Sequence, residues 1–344
     1  MKKRITIKDV ALAANVSMTT VSLVLNGKNN SLPVSTCERV QKAVRVLDYQ
    51  PNHAARTLVT NETKTIGIII PDIANAFFAE TVSYIQTELS KCGYDIFLCN
   101  SGEQKINDLK YIKLLSSRNV DGLIITFSSE SLQEENYKEL ETVMENTGVP
   151  IILLDRYFNG DADKVMIDNT AGGYVVTKYL ISKGHRNIGC ITGPLNLNSS
   201  RNRLKGYTRA LTDFNIEYNE DYIINGKYDL ESGIKGAKKL LEKNITAIFA
   251  FNDLQAYGVM KVAKEKGLKI PEDISLIGFD DIFYSALLET PLTTVRQPIK
   301  EMADTVCKLL IKRINTNSEN DYEEIRMKAN LIERDSVADL KKIL

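Results

Sequence analysis

Polar and aromatic side chains follow several short apolar runs in this 344-residue chain, and their types could bind a small polar molecule. Aromatic rings pack against C–H faces, while Asp, Asn and Arg form paired hydrogen bonds with hydroxyl groups, which both donate and accept. The set holds no nucleophile beside a base and no metal cluster, so it favours binding of a sugar over catalysis. Its members are Asn75, Phe77, Phe78, Asp155, Arg156, Asn252, Asp253, Asp280 and Asp281.

Each member of this set also has a purely structural interpretation. Phe77 and Phe78 could be core residues of a first helical turn, and the Asp-Arg dipeptide at 155–156 could be a surface ion pair. Asn252 could cap the helix that follows it. The sugar-site hypothesis explains all of these residues together, whereas the structural interpretation needs a separate reason for each.

The first 50 residues contain a second set, whose pattern could contact nucleic acid. Thr6-x-x-Asp9 predicts a capping box that opens a helix, and 15–17 predicts a turn into a second helix. The second helix buries Val21 and Val24, and a third helix is expected to begin at the capping box 35–38. These features predict a helix-turn-helix, although another three-helix bundle would share the pattern. The outward face of the second helix comprises Met18, Thr19, Ser22, Leu23 and Asn26.

The charge of the chain is divided unevenly between its head and its body. The whole sequence has 44 Lys and Arg against 44 Asp and Glu, which gives a net charge of zero. Residues 1–64 carry ten bases against four acids, so the head is +6 and the remaining 280 residues are −6. This asymmetry indicates that the head meets phosphates and that the body does not.

Alternating elements must position the first set of residues. From 65 onward, β-branched apolar runs alternate with amphipathic helical stretches, and the alternation restarts at 165–167. This pattern predicts an α/β fold with two doubly wound parallel sheets, whose ligands sit at the carboxyl ends of the strands. A GxGxxG after the first strand and a GxxxxGK[ST] are both missing from the sequence, which argues against dinucleotide and P-loop chemistry.

Composition excludes several other classes of protein. The chain has five cysteines, no CxxC pair and two histidines, so neither a disulfide framework nor a zinc site is expected, and no cofactor is implied. No apolar run approaches the roughly 18 residues of a membrane span. The first residues, MKKRIT, lack the apolar core of a secretory signal, so a cytoplasmic protein is expected.

Two stretches of the head resemble the LacI/GalR family of bacterial transcription regulators. They are TIKDVALAANVSMTTVSLVLN at 6–26 and LDYQPNHAARTL at 47–58, which resembles the hinge of that family. The resemblance implies that Met18, Thr19, Ser22 and Leu23 read base edges. Leu23 stands where relatives often have arginine or histidine, so the operator sequence stays open. The resemblance places the other DNA contacts of the head at Thr6, Ser17, Thr20 and Asn26.

The hinge resemblance implies a further contact with DNA. In the family, residues matching 52–58 form a helix when a dimer binds its operator. The leucine that matches Leu58 then wedges into the minor groove and bends the duplex. His53 and Ala54 are expected to contact DNA within the same segment.

The body resembles the effector domain of the same family, which is similar to periplasmic sugar-binding proteins. The motifs VDGLI (120–124), GHRNI (184–188) and IGFDD (277–281) carry the resemblance. Within the family, the chain resembles the ribose-operon repressor type. The resemblance implies an effector site in which an Arg that opens a helix and a Gln join the first set. That site consists of Asn75, Phe77, Phe78, Asp155, Arg156, Arg201, Asn252, Asp280 and Gln297.

Together these observations predict a dimeric repressor that binds operator DNA and answers to ribose or a similar monosaccharide. The predicted domains are a helix-turn-helix at 1–50, a hinge at 51–64 and an effector domain at 65–344. The effector domain should divide into 65–160 with 296–322, and 161–292 with 323–344. A purine-binding relative shares the scaffold but lacks an arginine matching Arg156, so the Asp-Arg pair favours a free sugar. A purine or a phosphoprotein co-regulator is the alternative effector. A sugar-binding protein without a DNA role is less favoured, and an enzyme is not expected. The sequence is compatible with an effector that induces and with one that co-represses, and with dimers that pair into tetramers and dimers that do not.

Overall fold

The chain divides into two compact units, Met1–Thr63 and Lys64–Leu344, in the computed structural model. The structure describes residues 5–25, 27, 32–49, 62–316 and 321–342. Within these residues, no single helix is long and apolar enough to cross a membrane. One bent pair of short helices in the head meets the requirement for a membrane span, by length and composition alone.

In the described part of the head unit, three helices pack on a small apolar core. Thr6 caps the first helix in the predicted capping box, and its Oγ1 accepts a hydrogen bond from the Asp9 backbone N–H. Asn15 ends the helix in the left-handed region, and the next helix crosses the first at 101°. This geometry is that of a helix-turn-helix. The helices are α1 Ile7–Ala14, α2 Met18–Leu25 and α3 Val34–Val46.

The start of α3 differs from the prediction. The predicted capping box at 35–38 does not form. The helix begins at Val34, so Ser35 already lies inside it and cannot be its cap. Pro33 occupies the cap position with φ −58° and has no side-chain oxygen to accept a hydrogen bond. The core beneath α3 is nevertheless the predicted one, since Val10, Val21 and Val40 are fully buried against each other.

The body unit contains two parallel sheets, as the alternating pattern predicts. The first sheet has six strands in the order β11-β5-β4-β3-β1-β2, and the second has four in the order β7-β6-β8-β9. A two-stranded antiparallel ribbon, β10-β12, lies at the edge of the second sheet through a bridge between Ile277 and Thr293. The strands are β1 Thr65–Ile70, β2 Asp95–Asn100, β3 Gly122–Ile125, β4 Ile151–Leu154, β5 Asp163–Ile167, β6 Ile188–Thr192, β7 Ile223–Asn225, β8 Ala247–Ala250, β9 Ser275–Ile277, β10 Thr294–Arg296, β11 Glu324–Met327 and β12 Asn330–Ile332.

Helices cover both faces of each sheet, so both sheets are doubly wound. In the first sheet, α4 and α11 pack on one face while α5 and α6 pack on the other. In the second sheet, α7 and α8 lie opposite α9 and α10. The helices are α4 Ala76–Lys91, α5 Lys105–Ser117, α6 Tyr137–Glu145, α7 Asn169–Ser182, α8 Asn198–Asp213, α9 Leu230–Leu240, α10 Asp253–Glu265 and α11 Ile299–Thr316.

The predicted boundary between the two halves of the body is wrong. The strand at 165–167 was expected to open the second half, but it belongs to β5, which pairs with β4 and with β11 in the first sheet. A buried ion pair explains this placement, because Arg313 of α11 donates to both carboxylate oxygens of Asp163 at 2.7 and 2.8 Å. The chain therefore passes between the halves after Ile167 and after Met327, several residues later than 160 and 322.

Candidate functional site

A small cavity lies between the two halves of the body, at the carboxyl ends of their strands. The space between its lining atoms, including the part open to solvent, is about 270 Å³. Eight of the nine predicted effector residues line it. Three further residues, Ser199, Arg203 and Tyr228, line it as well. The lining residues are Asn75, Phe77, Phe78, Asp155, Arg156, Ser199, Arg203, Tyr228, Asn252, Asp280 and Gln297.

Arg156 provides the first fixed charge of the cavity. It follows β4, where Asp155 adopts φ 62° and so turns the chain sharply at the strand end. The side chain of Arg156 is 2% exposed and lies over the Phe78 ring at 5.3 Å. Its Nη1 donates to both carboxylate oxygens of Glu103 at 2.9 and 3.0 Å and to the carbonyl oxygen of Phe127 at 3.2 Å. The guanidinium is therefore held in place without any ligand.

Arg203 provides the second fixed charge. Its guanidinium stacks on the Phe279 ring at 3.6 Å, and its Nε donates to Asn169 Oδ1 at 2.8 Å. Nη2 lies 3.9 Å from Asp280 Oδ1, which also accepts a hydrogen bond from Gln297 Nε2 at 2.5 Å. The cavity is thus lined by two carboxylates, those of Asp155 and Asp280, and by two buried guanidiniums, those of Arg156 and Arg203.

Arg201, which was predicted as an effector contact, does not line the cavity, whereas Arg203 does. Arg201 is exposed and donates to the carbonyl oxygens of Leu195 and Asn196 at 3.2 and 2.9 Å. Because α8 begins at Asn198, Ser199 and Arg203 share one helix face at a spacing of four residues, while Arg201 points away from it. The paired arginines of the motif Ser-Arg-Asn-Arg were the available signal, and helical spacing from Ser199 selects the second.

The two asparagines of the site, Asn75 and Asn252, both cap helices and line the cavity. Asn75 Oδ1 accepts a hydrogen bond from the Phe77 backbone N–H and so caps α4. Asn252 caps α10 in a capping box with Gln255, and its Nδ2 donates to the carbonyl oxygen of Tyr228 at 3.2 Å. Both side chains line the cavity as well, so capping fixes their positions there.

Asp253 and Asp281, two other candidates, do not line the cavity. Asp253 is completely buried and accepts hydrogen bonds from Ser285 Oγ and Thr294 Oγ1, both at 2.6 Å. Burial raises the pKa of Asp253 to about 6. Asp281 accepts from Arg296 and Arg334 at 2.6 Å. Asp253 therefore ties the start of α10 to Ser285 and Thr294, and Asp281 ties Arg296 to Arg334.

The two carboxylates inside the cavity, Asp155 and Asp280, have raised pKa values. Burial raises the pKa of Asp155, against the opposing effect of Arg156 and Arg203. Burial likewise raises the pKa of Asp280 to about 8, although Arg203 acts in the other direction. Asp155 Oδ1 and Gln297 Oε1 are buried and have no hydrogen-bond partner. A ligand that donates hydrogen bonds would satisfy both oxygens.

The head presents a separate polar surface. Ser17, Met18 and Thr19 are exposed at the start of α2, while Thr20, Ser22 and Leu23 are half-buried. Ser17 Oγ accepts from the Thr20 backbone N–H at 3.1 Å and so caps α2, and Thr6 is exposed at the start of α1. The predicted DNA contacts Asn26, His53, Ala54 and Leu58 lie outside the described residues.

A helix-turn-helix head and a two-sheet body with a polar cavity define a class, the ligand-responsive transcription regulators. Within the described residues, no group of three or more His, Cys, Asp or Glu side chains could hold a metal ion. Two family models match the chain. "Bacterial regulatory proteins, lacI family" matches residues 6–52, and "Periplasmic binding proteins and sugar binding domain of LacI family" matches 63–335. The chain belongs to the LacI family of DNA-binding regulators, and it is not an enzyme.

Individual relatives support the family and differ in their ligands. The chain is 37% identical to the "HTH-type transcriptional repressor PurR" of Aliivibrio salmonicida, over 96% of this chain and 98% of that protein. It is similar to the lac repressor dimer bound to operator and the anti-inducer ONPF, at a TM-score of 0.86 and 26% identity, over 98% and 100% of the chains. A LacI family regulator from Enterococcus faecium with bound ribose is 33% identical, with a TM-score of 0.70, over 80% and 99% of the chains.

Proposed function

We propose that this regulator binds a monosaccharide, most simply ribose or a similar pentose, in the cavity of the body and changes its operator affinity in response. One observation carries the proposal: the cavity joins two buried carboxylate–guanidinium sets to unpaired acceptor oxygens on Asp155 and Gln297. A sugar hydroxyl can donate to a carboxylate or amide oxygen while it accepts from a guanidinium. Several such hydroxyls on one small ring suit this lining.

The aromatic residues of the cavity support a sugar as well. The Phe77 and Phe78 rings meet edge to face with centroids 5.1 Å apart, and both rings line the cavity. Apolar C–H faces of a sugar pack against such rings, which leaves the hydroxyl groups in the plane of the polar side chains. The ribose-bound relative from Enterococcus faecium makes a pentose a reasonable first ligand to test.

A purine is the second candidate, because curated relatives at 35–37% identity carry the name PurR. A purine base would also stack on an aromatic ring, and its ring N–H groups could donate to Gln297 Oε1. It offers fewer groups than a pentose that both donate and accept, however, so it would leave more of the two carboxylates and two guanidiniums unpaired. The sugar therefore accounts for more of the lining.

Calorimetry of the purified protein separates the two candidates. Ribose, other pentoses, hexoses and purine bases are titrated in turn, and we expect saturable binding for a pentose and none for a purine. Saturable binding of a purine with no sugar bound would replace the proposal by the second candidate. Arg156→Ala should abolish sugar binding and leave operator binding unchanged, because it removes a guanidinium that lines only the cavity.

A gel shift on the DNA upstream of its own gene tests the regulatory half of the proposal. We expect a shift that the bound sugar either weakens or strengthens, which assigns the sugar as inducer or co-repressor. Leu58→Ala should weaken the shift and leave sugar affinity intact, since the matching leucine of the family wedges into the minor groove. Absence of a shift on every upstream fragment, with and without sugar, would contradict the proposal.

A homodimer is part of the proposal, and β2 supports it. This strand is the last of the six-stranded sheet, and its Phe97 and Leu98 are 43% and 41% exposed. An exposed apolar edge strand is a surface that another chain can cover. Leu98→Lys should shift the sedimentation coefficient from dimer to monomer. Phe214→Lys, at an equally exposed site away from this edge, should leave the dimer intact.

A further inference from the structure

Two loops from opposite halves of the body are joined by a reciprocal pair of hydrogen bonds. Ser129, in the loop after β3, donates from Oγ to Asn196 Oδ1 at 3.1 Å. Asn196, in the loop between β6 and α8, donates from Nδ2 to the carbonyl oxygen of Ser129 at 2.5 Å. Neither residue lines the cavity. We call this pair the rim clasp, since one partner belongs to each half of the body.

A single carboxylate connects the rim clasp to the effector site. Glu103, which follows β2 with φ 59°, accepts a hydrogen bond from the Ser129 backbone N–H at 2.7 Å. The same carboxylate accepts from Arg156 Nη1 at 2.9 and 3.0 Å. The position of a guanidinium in the cavity and the position of the Ser129 half of the clasp therefore depend on one side chain.

The other half of the clasp is held by Arg201. Its guanidinium donates to the carbonyl oxygens of Leu195 and Asn196, which fixes the loop that carries the Asn196 side chain. Two residues further on, Asn198 Nδ2 lies 3.4 Å from the carbonyl oxygen of Asp155 in the first half. The loop at 195–198 is thus braced on its own half and contacts the opposite half at two places.

The cavity is closed in this arrangement. Arg156, Arg203 and Asn252 are 2%, 3% and 1% exposed, so a ligand cannot exchange with solvent unless the two halves move apart. Separation of the halves must break the rim clasp, because its two hydrogen bonds join them directly.

We propose that the rim clasp holds the effector cavity closed and sets the rate at which the effector leaves, with Glu103 as the positioning residue that links the clasp to Arg156. This inference rests on the proposed function in that it takes the cavity as the effector site. Because the clasp touches no ligand and must break for the effector either to enter or to leave, its loss should accelerate both association and dissociation. Loss of a direct contact with the effector acts mainly on dissociation instead.

Stopped-flow kinetics with ribose as the probe tests the inference in the full-length protein. Asn196→Ala removes both hydrogen bonds, and we expect the ribose dissociation rate to rise about tenfold, with the association rate rising as well. Ser129→Ala removes only the Oγ donor and should raise the dissociation rate about threefold to fivefold. In the double variant dissociation should be no faster than in Asn196→Ala, since both changes remove the same contact. Asn202→Ala, on α8 outside the cavity lining, is the matched control and should bind as the unaltered protein does.

Amide hydrogen exchange without effector tests the clasp independently of ligand identity. The Ser129 amide and residues 195–198 should exchange several times faster in Asn196→Ala than in the Asn202→Ala control. Glu103→Ala should expose the Ser129 amide to the same degree, because it removes the acceptor of that N–H.

The possible results separate the two proposals. If the unaltered protein binds no sugar, the proposed function fails, while exchange still decides whether the clasp closes the cavity. If ribose binds and Asn196→Ala changes neither its dissociation rate nor the exchange of 195–198, the rim clasp is overturned and the sugar site stands. Additive increases of the dissociation rate in the double variant would also overturn the clasp as a single contact.

Discussion

The guanidinium of Arg203 is held in place before any ligand arrives, by the Phe279 ring, Asn169 Oδ1 and the carbonyl oxygen of Phe251. An effector hydroxyl can therefore bind to it at little cost in side-chain entropy. Arg203→Ala should weaken sugar binding by at least a hundredfold, since a charge-assisted hydrogen bond is lost and Asp280 is left beside no cation. Calorimetry measures the loss, and circular dichroism checks that the variant folds.

Arg201→Ala is the matched comparison, because it removes the same side chain from the same helix. It should weaken sugar binding only severalfold, through the loop at 195–196 that Arg201 braces. Equal losses in the two variants would contradict the placement of Arg203, and not Arg201, in the cavity.

Asp280 should make sugar affinity depend on pH. Burial raises its pKa to about 8, so it is largely protonated at neutral pH, and its effect on folding stability is most favourable below pH 4 and declines up to about pH 8. A sugar hydroxyl that donates to the carboxylate favours the ionised form, so binding releases a proton. Affinity should therefore rise from pH 6 to pH 8, by at most about tenfold per pH unit, and level off above pH 8.

Calorimetry in buffers of different ionisation enthalpy measures the released proton directly. Asp280→Asn should bind more weakly and with a flatter pH dependence, and any slope that it retains reports Asp155, whose pKa burial also raises. Affinity that stays constant from pH 6 to pH 9 in the unaltered protein would contradict proton release on binding.

The crossing of helices α7 and α8 determines where Arg203 stands. A Cβ atom added at Gly173 would lie 2.2 Å from the backbone oxygen of Arg203, too close for either helix to keep its position. Gly173→Ala should therefore push α8 outward, lower stability by about 1–3 kcal/mol and weaken sugar binding together. Thermal unfolding and calorimetry on the same samples check both effects.

Thr212→Ala, on the exposed side of α8, is the control for this crossing and should change stability by less than about 0.5 kcal/mol. Unchanged stability in Gly173→Ala would show that the helices can separate without strain, and that their contact does not position Arg203.

Much of the element order, and several residues of the cavity, could be predicted from the sequence. Asn75, Asp155, Asn252 and Asp280 follow apolar strands closely, and the carboxyl ends of parallel strands in a doubly wound sheet meet at one edge. Residues that reach the cavity from a helix face were harder to predict. The choice between Arg201 and Arg203 depends on knowing the residue at which α8 begins.

The assignment of strands to sheets could not be predicted, for a tertiary reason. The apolar run of β5 fits either sheet, and its actual place depends on the distant Arg313, which forms a buried ion pair with Asp163. The rim clasp was equally hidden, since Ser129 and Asn196 are 67 residues apart in loops without a motif. Loops follow no hydrophobic period, so pattern alone gives no sign of contacts between them.

At the scale of the whole molecule, the distribution of charge gives the two ligands opposite responses to salt. The net charge of +6 over residues 1–64 attracts DNA phosphates. Each phosphate that a Lys or Arg side chain neutralises releases condensed counterions. With two heads on one operator, six or more such contacts would reduce operator affinity by about a thousandfold between 50 and 200 mM salt. A neutral sugar releases no counterions, so its affinity should change by less than about twofold over that range. Fluorescence anisotropy with labelled operator and calorimetry with ribose measure the two slopes on one preparation. A flat operator slope would mean that the basic head does not meet phosphates, and a steep ribose slope would mean that the effector carries charge.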